Sequence, residues 1–427
     1  MLEIKSIADG VRLVSIQTDR FKTANIQVSM ALPLNSDAAT NAVLLYLLKR
    51  SCKSYPDFTE LQGKLDELYG AAIGAEVIKS GEAQVLSLNL TCIDDRFALN
   101  DESIVGNCAN LLAGMIFAPN CKNGSFGTQA VDTEKRLLRQ HVEEEVNNKR
   151  VFALNRCIEL MCAEEAYGIN RYGGAEAIDA VKVKDVYAAW KNLLKSALFQ
   201  ITVVSSSPAV EIERIFAEKF AKIEREPVEI NTVFIPKGKR FKRHEEEFPV
   251  NQGRLIMGLR AGMTNWRDNL AAVTVMNNIL GGSANSKLFK NIREKLSLCY
   301  DCSSRLIYRK GLVLIACGID PDKEKKTSAE ILCQLSDIRA GKVSAEELEA
   351  GKMSLRERLT FNTPGELCAW YTPFVAGSDD EVISPEQMAA SFDGVTVEDV
   401  AEAAKKLTLD TIYMITTKQK EESKVED

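Results

Sequence analysis

The sequence predicts an α+β fold of two duplicated domains, each a mostly antiparallel sheet with helices packed on one face, the pair facing each other as a clamshell. Three observations carry this expectation. The chain has 427 residues, too many for one ordinary core and suited to two domains of about 200 residues each. Strand-like and helix-like stretches run in one order through the first half and recur in that order in the second. Between the two runs lies a charged seam, residues 224–242, holding Pro227, Pro236 and Gly238 and no long periodic pattern.

Residues 2–8 and 12–17 read as short strands, and 25–32 (Asn-Ile-Gln-Val-Ser-Met-Ala-Leu) alternates as a half-buried strand does. Ser36 is placed to cap a helix running to about Ser51. Residues 84–93 predict another strand, followed by helices near 99–116 and 131–163, a helix over 183–195 and a strand over 199–205. Ser207-Pro208 then opens a helix whose Ile212, Ile215, Phe216, Phe220 and Ile223 form one apolar stripe.

Beyond the seam the pattern restarts. Strand-like residues 242–248 and 254–259 follow the order of the first strands, and a helix over 267–280 takes the place of 37–51. Residues 311–319 mirror 85–93, Val397-Glu-Asp-Val400 repeats Val183-Lys-Asp-Val186, and Ile412-Tyr-Met-Ile415 repeats Ile201-Thr-Val-Val204. Five pairs in unbroken order at a similar offset indicate one α+β unit copied. The expected domains are 1–225 and 243–427, joined by a linker at 226–242. A duplicated unit of this size can close around a cleft where function would sit. A duplicated scaffold without chemistry is the other reading at this level.

Composition narrows the classes. With 54 Lys+Arg against 60 Asp+Glu, the net charge of −6 offers no global field for nucleic acid or an anionic membrane. The longest apolar stretches, 42–48 and 111–118, fall far below the roughly 18 residues a membrane span needs. The opening Met1-Leu-Glu-Ile-Lys lacks the charged and apolar regions of a signal peptide. Eleven scattered cysteines suit reduced thiols, so a cytoplasmic protein is expected. There are two histidines, His141 and His244, which leaves little for any chemistry that needs neighbouring imidazoles.

The local motifs are weak. Gly281-Gly-Ser-Ala-Asn-Ser-Lys287 lacks the spacing of a phosphate loop and reads as a turn after a helix. Cys299-Tyr-Asp-Cys302 is a single C-x-x-C without a second pair for zinc or a thioredoxin-like setting. Two small buried core residues are expected there. His141 and Glu145 share a helix face, with Glu144 beside them, but two ligands do not complete a metal site. His244-Glu-Glu-Glu247 falls in a strand, where neighbours point to opposite faces. No G-x-S-x-G elbow occurs.

One stretch is specific. Leu280-Gly-Gly-Ser-Ala-Asn-Ser-Lys-Leu288-Phe-Lys-Asn-Ile292-Arg293-Glu294-Lys-Leu-Ser-Leu298-Cys-Tyr300 closely resembles the C-terminal signature of the M16 (insulinase, pitrilysin-type) metallopeptidase family. There a Gly-Gly turn leads into L-F-x-x-I-R-E and a Tyr seven residues after the Arg. Leu47-Leu-Lys49-Arg-Ser51 likewise resembles the family's L-F-K-G-T, and Leu61-Gln-Gly-Lys-Leu65 through Tyr69-Gly70-Ala71 its next helix and glycine turn. The resemblance covers nearly the whole chain and implies the M16 two-domain fold. It also implies that Arg293 and Tyr300, with Gly281 and Gly282 beside them, line the inter-domain cleft and contact peptide.

The departure from the family decides the expected function. Active members carry H-x-x-E-H just before L-F-K-G-T, with both histidines on zinc and the Glu as base. The matching positions here are Asn41, Leu44 and Leu45, which supply neither imidazole nor base. The family's third ligand, a Glu on a later helix, corresponds loosely to Glu134, and one carboxylate cannot hold zinc. Residues 42–48 read as a wholly buried helix. No cofactor is therefore expected, zinc in particular, and no catalysis by the chain alone.

Such degenerate members resemble the non-catalytic subunits of heterodimeric peptidases. The chain is similar to a bacterial cytoplasmic branch associated with 5-aminopentanol modification of elongation factor P, matched at Asn148-Lys149 and Tyr167-Gly168. The expected partners are an active M16-type homologue and a peptide or protein segment, with a homodimer possible and neither nucleic acid nor membrane. The alternative is a self-associating peptide-binding or scaffold module without a peptidase partner.

Overall fold

The computed structural model describes residues 2–378 and 381–417. In chain order the strands are β1 (Leu2–Ala8), β2 (Val11–Gln17), β3 (Thr23–Pro33), β4 (Ala72–Ser80), β5 (Ala83–Ile93), β6 (Leu198–Ser205), β7 (Lys242–Phe248), β8 (Gly253–Arg260), β9 (Asp301–Ile307), β10 (Leu312–Ile319) and β11 (Thr408–Thr417). The helices are α1 (Ala38–Arg50), α2 (Phe58–Glu67), α3 (Ile104–Phe117), α4 (Thr128–Asn147), α5 (Lys149–Met161), α6 (Ala175–Ala180), α7 (Val183–Ser196) and α8 (Val210–Phe220), then α9 (Leu270–Asn277), α10 (Glu324–Arg339), α11 (Ala345–Arg358), α12 (Pro364–Tyr371), α13 (Pro385–Ser391) and α14 (Val397–Lys406).

The duplication is visible in the sheets. The first orders its strands β1-β2-β6-β3-β5-β4, the second β7-β11-β8-β10-β9. Both are antiparallel except for one parallel pair, β2 with β6 and β11 with β7. Setting β2 on β7 superposes the two orders throughout, and only β1 lacks a counterpart. The repeats seen in sequence occupy matching places: β3 with β8, β5 with β10, β6 with β11 and α7 with α14.

The chain forms two compact units, and neither is contiguous. One comprises Met1–Glu144, Ile169–Thr232 and Thr360–Pro385; the other comprises Glu145–Gly168, Val233–Leu359 and Glu386–Asp427. The chain crosses between them within the seam, at Thr232, and also where sequence gave no sign. The helix expected over 131–163 breaks at Asn148, whose side chain accepts from the Val151 backbone N–H and starts α5 afresh. That break stands next to the crossing that delivers α5 to the second unit. Thr363 and Glu366 make a reciprocal cap with Pro364 in the first turn, and so start α12 on its own.

In the first unit Ile26, Val28 and Met30 of β3 join the main apolar cluster with Leu44, Leu45, Leu112 and Phe216. The alternate residues Asn25, Gln27 and Ser29 are buried too, because α12 covers that face. In the second unit α5 covers β8 and β11. Its Cys157, Ile158 and Met161 share an apolar cluster with Ile256, Leu314, Tyr413 and Ile415.

Smaller differences follow from local chemistry. α1 starts at Ala38 after Asp37, without a side-chain cap, so Ser36 is not the cap. α8 starts at Val210, two residues later than Ser207-Pro208 suggests. α9 ends at Asn277 and continues as a wider turn to Gly282. β4 and β9, each at a sheet edge, have no match among the strands expected from sequence. No described helix is long and apolar enough to cross a membrane.

Candidate functional site

Helix α1 carries the positions that decide the chemistry. Leu44 and Leu45 are 0% exposed, and burial of each stabilises the fold by about 1.5–3 kcal/mol. Asn41, one turn earlier on the same face, donates from Nδ2 to Gln84 Oε1 at 3.0 Å. Gln84 in turn donates to the carbonyls of Ala38 at 2.9 Å and Arg171 at 2.7 Å. The amide at position 41 thus fastens the start of α1 to β5.

Glu134, on α4, is 6% exposed, and its Oε1 accepts from Arg50 Nη1 at 2.6 Å. Two leucines, an engaged amide and a carboxylate held by a guanidinium do not fit a zinc ion. Among the described residues no group of three His, Cys, Asp or Glu side chains is arranged to hold a metal. His141 instead meets Tyr172, with Nε2 and the phenol oxygen 3.3 Å apart.

Beside α1 lies a groove of about 770 Å³ whose walls include Phe58 and Leu61 of α2, Ala72 and Ile73 of β4, and Glu134 and His141 of α4. Its lining also includes the buried apolar Leu65, Ala71 and Leu138 and the charged Lys49, Arg50 and Asp66. β4 ends the first sheet, paired only with β5, so its outer backbone edge can take a further strand. Sequence reasoning passed over this groove. Its one legible trace is Phe58, a large apolar side chain at a helix start that stays 66% exposed.

In the second unit Arg293 and Tyr300 line one groove of about 340 Å³ with Ser297, Leu298, Cys299 and Lys323. A wide turn over Leu288–Lys295 brings them together. The Leu296 N–H bonds back to Asn291, and Ser297 takes a φ of 49°. Both side chains are exposed. Arg293 lies over the Phe289 ring, 4.6 Å from its centre. Tyr300 donates to Asp320 Oδ1 at 2.9 Å, and Lys323 sits 2.8 Å from the same carboxylate. The hydrogen bond to that anion raises the Tyr300 phenol above its ordinary value. Lys323 first and Tyr300 second hold Asp320 below its own.

The glycines serve the fold at this point. A Cβ on Gly281 would come within 2.7 Å of the Ser304 backbone nitrogen, and one on Gly282 within 2.8 Å of Asn278 Oδ1. The close approach that Gly281 allows is therefore to β9. The Gly282 carbonyl accepts from Arg358 at 3.2 Å.

Comparison with known proteins agrees with this picture. Residues 180–355 match the family described as the Peptidase M16 inactive domain. The chain is 28% identical over 416 residues to the probable inactive metalloprotease YmfF of Bacillus subtilis (strain 168), covering 97% of each protein. Among solved structures, a conserved protein from Enterococcus faecalis V583 is 24% identical with a TM-score of 0.88, covering 99% of this chain and 100% of that one. The peptidase M16 inactive domain from Pseudomonas fluorescens is 17% identical with a TM-score of 0.79, covering 98% of both chains. With two matching sheets, the Arg293/Tyr300 signature, and Asn41, Leu44 and Leu45 where ligands and base would stand, the chain is similar to the M16 peptidases in the form of an inactive-type metalloprotease homologue.

Proposed function

We propose that this chain is a zinc-free M16 pseudo-peptidase that binds extended peptide and acts as the non-catalytic, substrate-binding subunit of an active M16 zinc peptidase. The observation that carries the reading is the pairing of a sealed α1 with an open groove. The positions that would hold metal are filled by two fully buried leucines and a hydrogen-bonded amide. The groove beside them keeps apolar wall residues and the edge of β4. An edge strand supplies main-chain hydrogen bonds to any sequence, and apolar walls supply affinity. In the second unit Arg293 and Tyr300 offer a guanidinium fork and a directional phenol suited to peptide carbonyls or a carboxylate. Surfaces of these kinds can hold a peptide without breaking it, so the hydrolytic step falls to a partner that has H-x-x-E-H.

The test is native purification of the chain from its source cell, identification of co-purifying chains, and peptide turnover by the recovered complex. An M16 homologue with an intact zinc motif is expected, and activity of the complex that a chelator removes. Recovery of copies of this chain alone would overturn the partner assignment in favour of a self-associating module. Stoichiometric zinc with peptidase activity in the isolated chain would overturn the reading altogether.

A further inference from the structure

The C-x-x-C that sequence assigns to the core is buried. Cys302 of β9 and Cys317 of β10 face each other in the antiparallel register, and their sulfurs are 2.9 Å apart. Directly opposed residues of such a pair have Cα atoms about 4.5–5.5 Å apart, inside the range a disulfide spans. Cys299, three residues before Cys302 in the same C-x-x-C, forms part of the wall of the groove that holds Arg293 and Lys323. Of the three, Cys299 and Cys302 are 8% and 6% exposed and Cys317 is fully buried, and Cys299 shares its groove wall with cationic side chains.

We propose that Cys299, Cys302 and Cys317 form a peroxide-reactive thiol relay, in which Cys299 is oxidised first and the oxidation ends as a Cys302–Cys317 disulfide across β9 and β10. The proposal is independent of any peptide-binding role. In the first step the Cys299 sulfur attacks a hydroperoxide. An S–O bond forms, the O–O bond breaks, sulfur gives up two electrons, and the alcohol or water leaves with a proton. Cys302 then attacks the Cys299 sulfenic acid. The S–S bond forms, the S–O bond breaks, and the hydroxyl departs with the thiol proton as water. Cys317 finally attacks the Cys302 sulfur, and Cys299 leaves as thiolate and takes up the Cys317 proton, with no net change of oxidation state. A dithiol reductant resets the pair.

The electrostatics agree with that order. Hydrogen bonds from Cys302 and Cys317, helped by the charge of Arg293, hold the Cys299 thiol well below the ordinary range despite its burial. The hydrogen bond to Cys299, opposed by the one from Cys317 and reinforced by burial, raises Cys302. Hydrogen bonds to both partners, with burial added, raise Cys317. The thiolate is the attacking species, so the sulfur on the groove wall is the one favoured to react first.

The experiment treats the full-length reduced chain with limiting hydrogen peroxide, blocks the remaining thiols and maps linked peptides by mass spectrometry. The expected product joins Cys302 to Cys317 and leaves the other nine of the eleven cysteines reduced, including the exposed Cys333. Cys299→Ser should slow that oxidation by about tenfold or more. Cys302→Ser should leave a Cys299 sulfenic acid that dimedone captures, and Cys317→Ser should stop the relay at Cys299–Cys302. In the unaltered chain, alkylation below neutral pH should reach Cys299 before Cys333, a readout that needs no variant to fold. Oxidation or alkylation of Cys333 ahead of Cys299, or a Cys302–Cys317 bond forming at full rate in Cys299→Ser, would overturn the proposal.

Discussion

Each unit covers one face of its sheet with a segment that chain order assigns elsewhere, and the two segments are fastened by opposite chemistry. In the first unit the covered face carries buried uncharged polar groups and Arg12, beside a small apolar cluster of Ala31, Ala83, Val85 and Val375. Gln27 donates to the Thr372 hydroxyl, Gln200 to the Tyr371 carbonyl at 2.8 Å, Ser80 to the Pro373 carbonyl at 2.8 Å, and Arg12 to the Gly377 carbonyl at 2.9 Å. In the second unit the contact is an apolar cluster closed by buried charge. Arg260 is 2.6 Å from Glu165 and 3.0 Å from Asp410, and Lys310 is 2.9 Å from Glu165. Directional neutral bonds fix where a segment lies and are indifferent to pH. Buried ion pairs carry a desolvation penalty, are costly to break singly, and respond to acid.

The largest effect is expected away from both covers, on the apolar side of the first sheet. Asn41→His, Leu44→Glu and Leu45→His together restore the family motif on paper but bury polar and charged groups where Leu44 and Leu45 are fully enclosed. A loss of several kcal/mol is expected in chemical denaturation. Stability equal to the parent would mean that α1 is not sealed.

Next in size, Glu165→Ala should cost about 3 kcal/mol, since it takes a buried carboxylate away from Lys310 and one of two from Arg260. Gln27→Ala should cost about 1–2 kcal/mol for the stranded hydroxyl and its lost bond. Equal losses in the two variants would erase the contrast between the fastenings.

Acid offers a sharper separation. Burial opposes ionisation of Glu165, but hydrogen bonds from Arg260 and Lys310 outweigh it and hold the carboxyl below its ordinary value of 4.5. A depressed carboxyl contributes stability that is full above that value and is lost as pH falls through the lower folded one. Hydrogen exchange should therefore rise in α5 before α12 as pH drops below about 4.5. The reverse order would assign the acid-sensitive fastening to the wrong unit.

The smallest structural effect belongs to Arg293→Ala with Tyr300→Phe. Both side chains are exposed, so the melting temperature should barely move, while peptide affinity or turnover by the complex falls. Unchanged binding would remove these residues from the proposed role.

How much of this was legible depends on how far apart in the chain the interacting residues stand. β3 announced itself by alternation, and Asn25, Gln27 and Ser29 read as a solvated edge of a half-buried strand. They are buried because α12, more than three hundred residues later, lies on them. Nothing near β3 encodes that cover. The break at Asn148 was invisible for a related reason: a helical pattern continues across it, and only the Asn148 cap and the change of unit end it. At the candidate site the substitutions at Asn41, Leu44 and Leu45 were plain against the motif they replace. The groove lined by α2, β4 and α4 was not, since its walls come from segments that no short pattern links.

The different covers also fix when each sheet can be finished as the chain is made. At about 5–20 residues per second, β3 leaves the ribosome roughly half a minute before α12 exists to lie on it. Through that interval the uncovered face shows water Asn25, Gln27, Ser29, Gln200 and Thr202, groups that hydration satisfies as well as α12 does. α5, by contrast, is already made when the first strand of the second sheet emerges, so an apolar face there finds its cover waiting. The nascent chain thus keeps its more polar face for the long wait and its oilier face for the short one, which limits the time during which sticky surface is open to other chains.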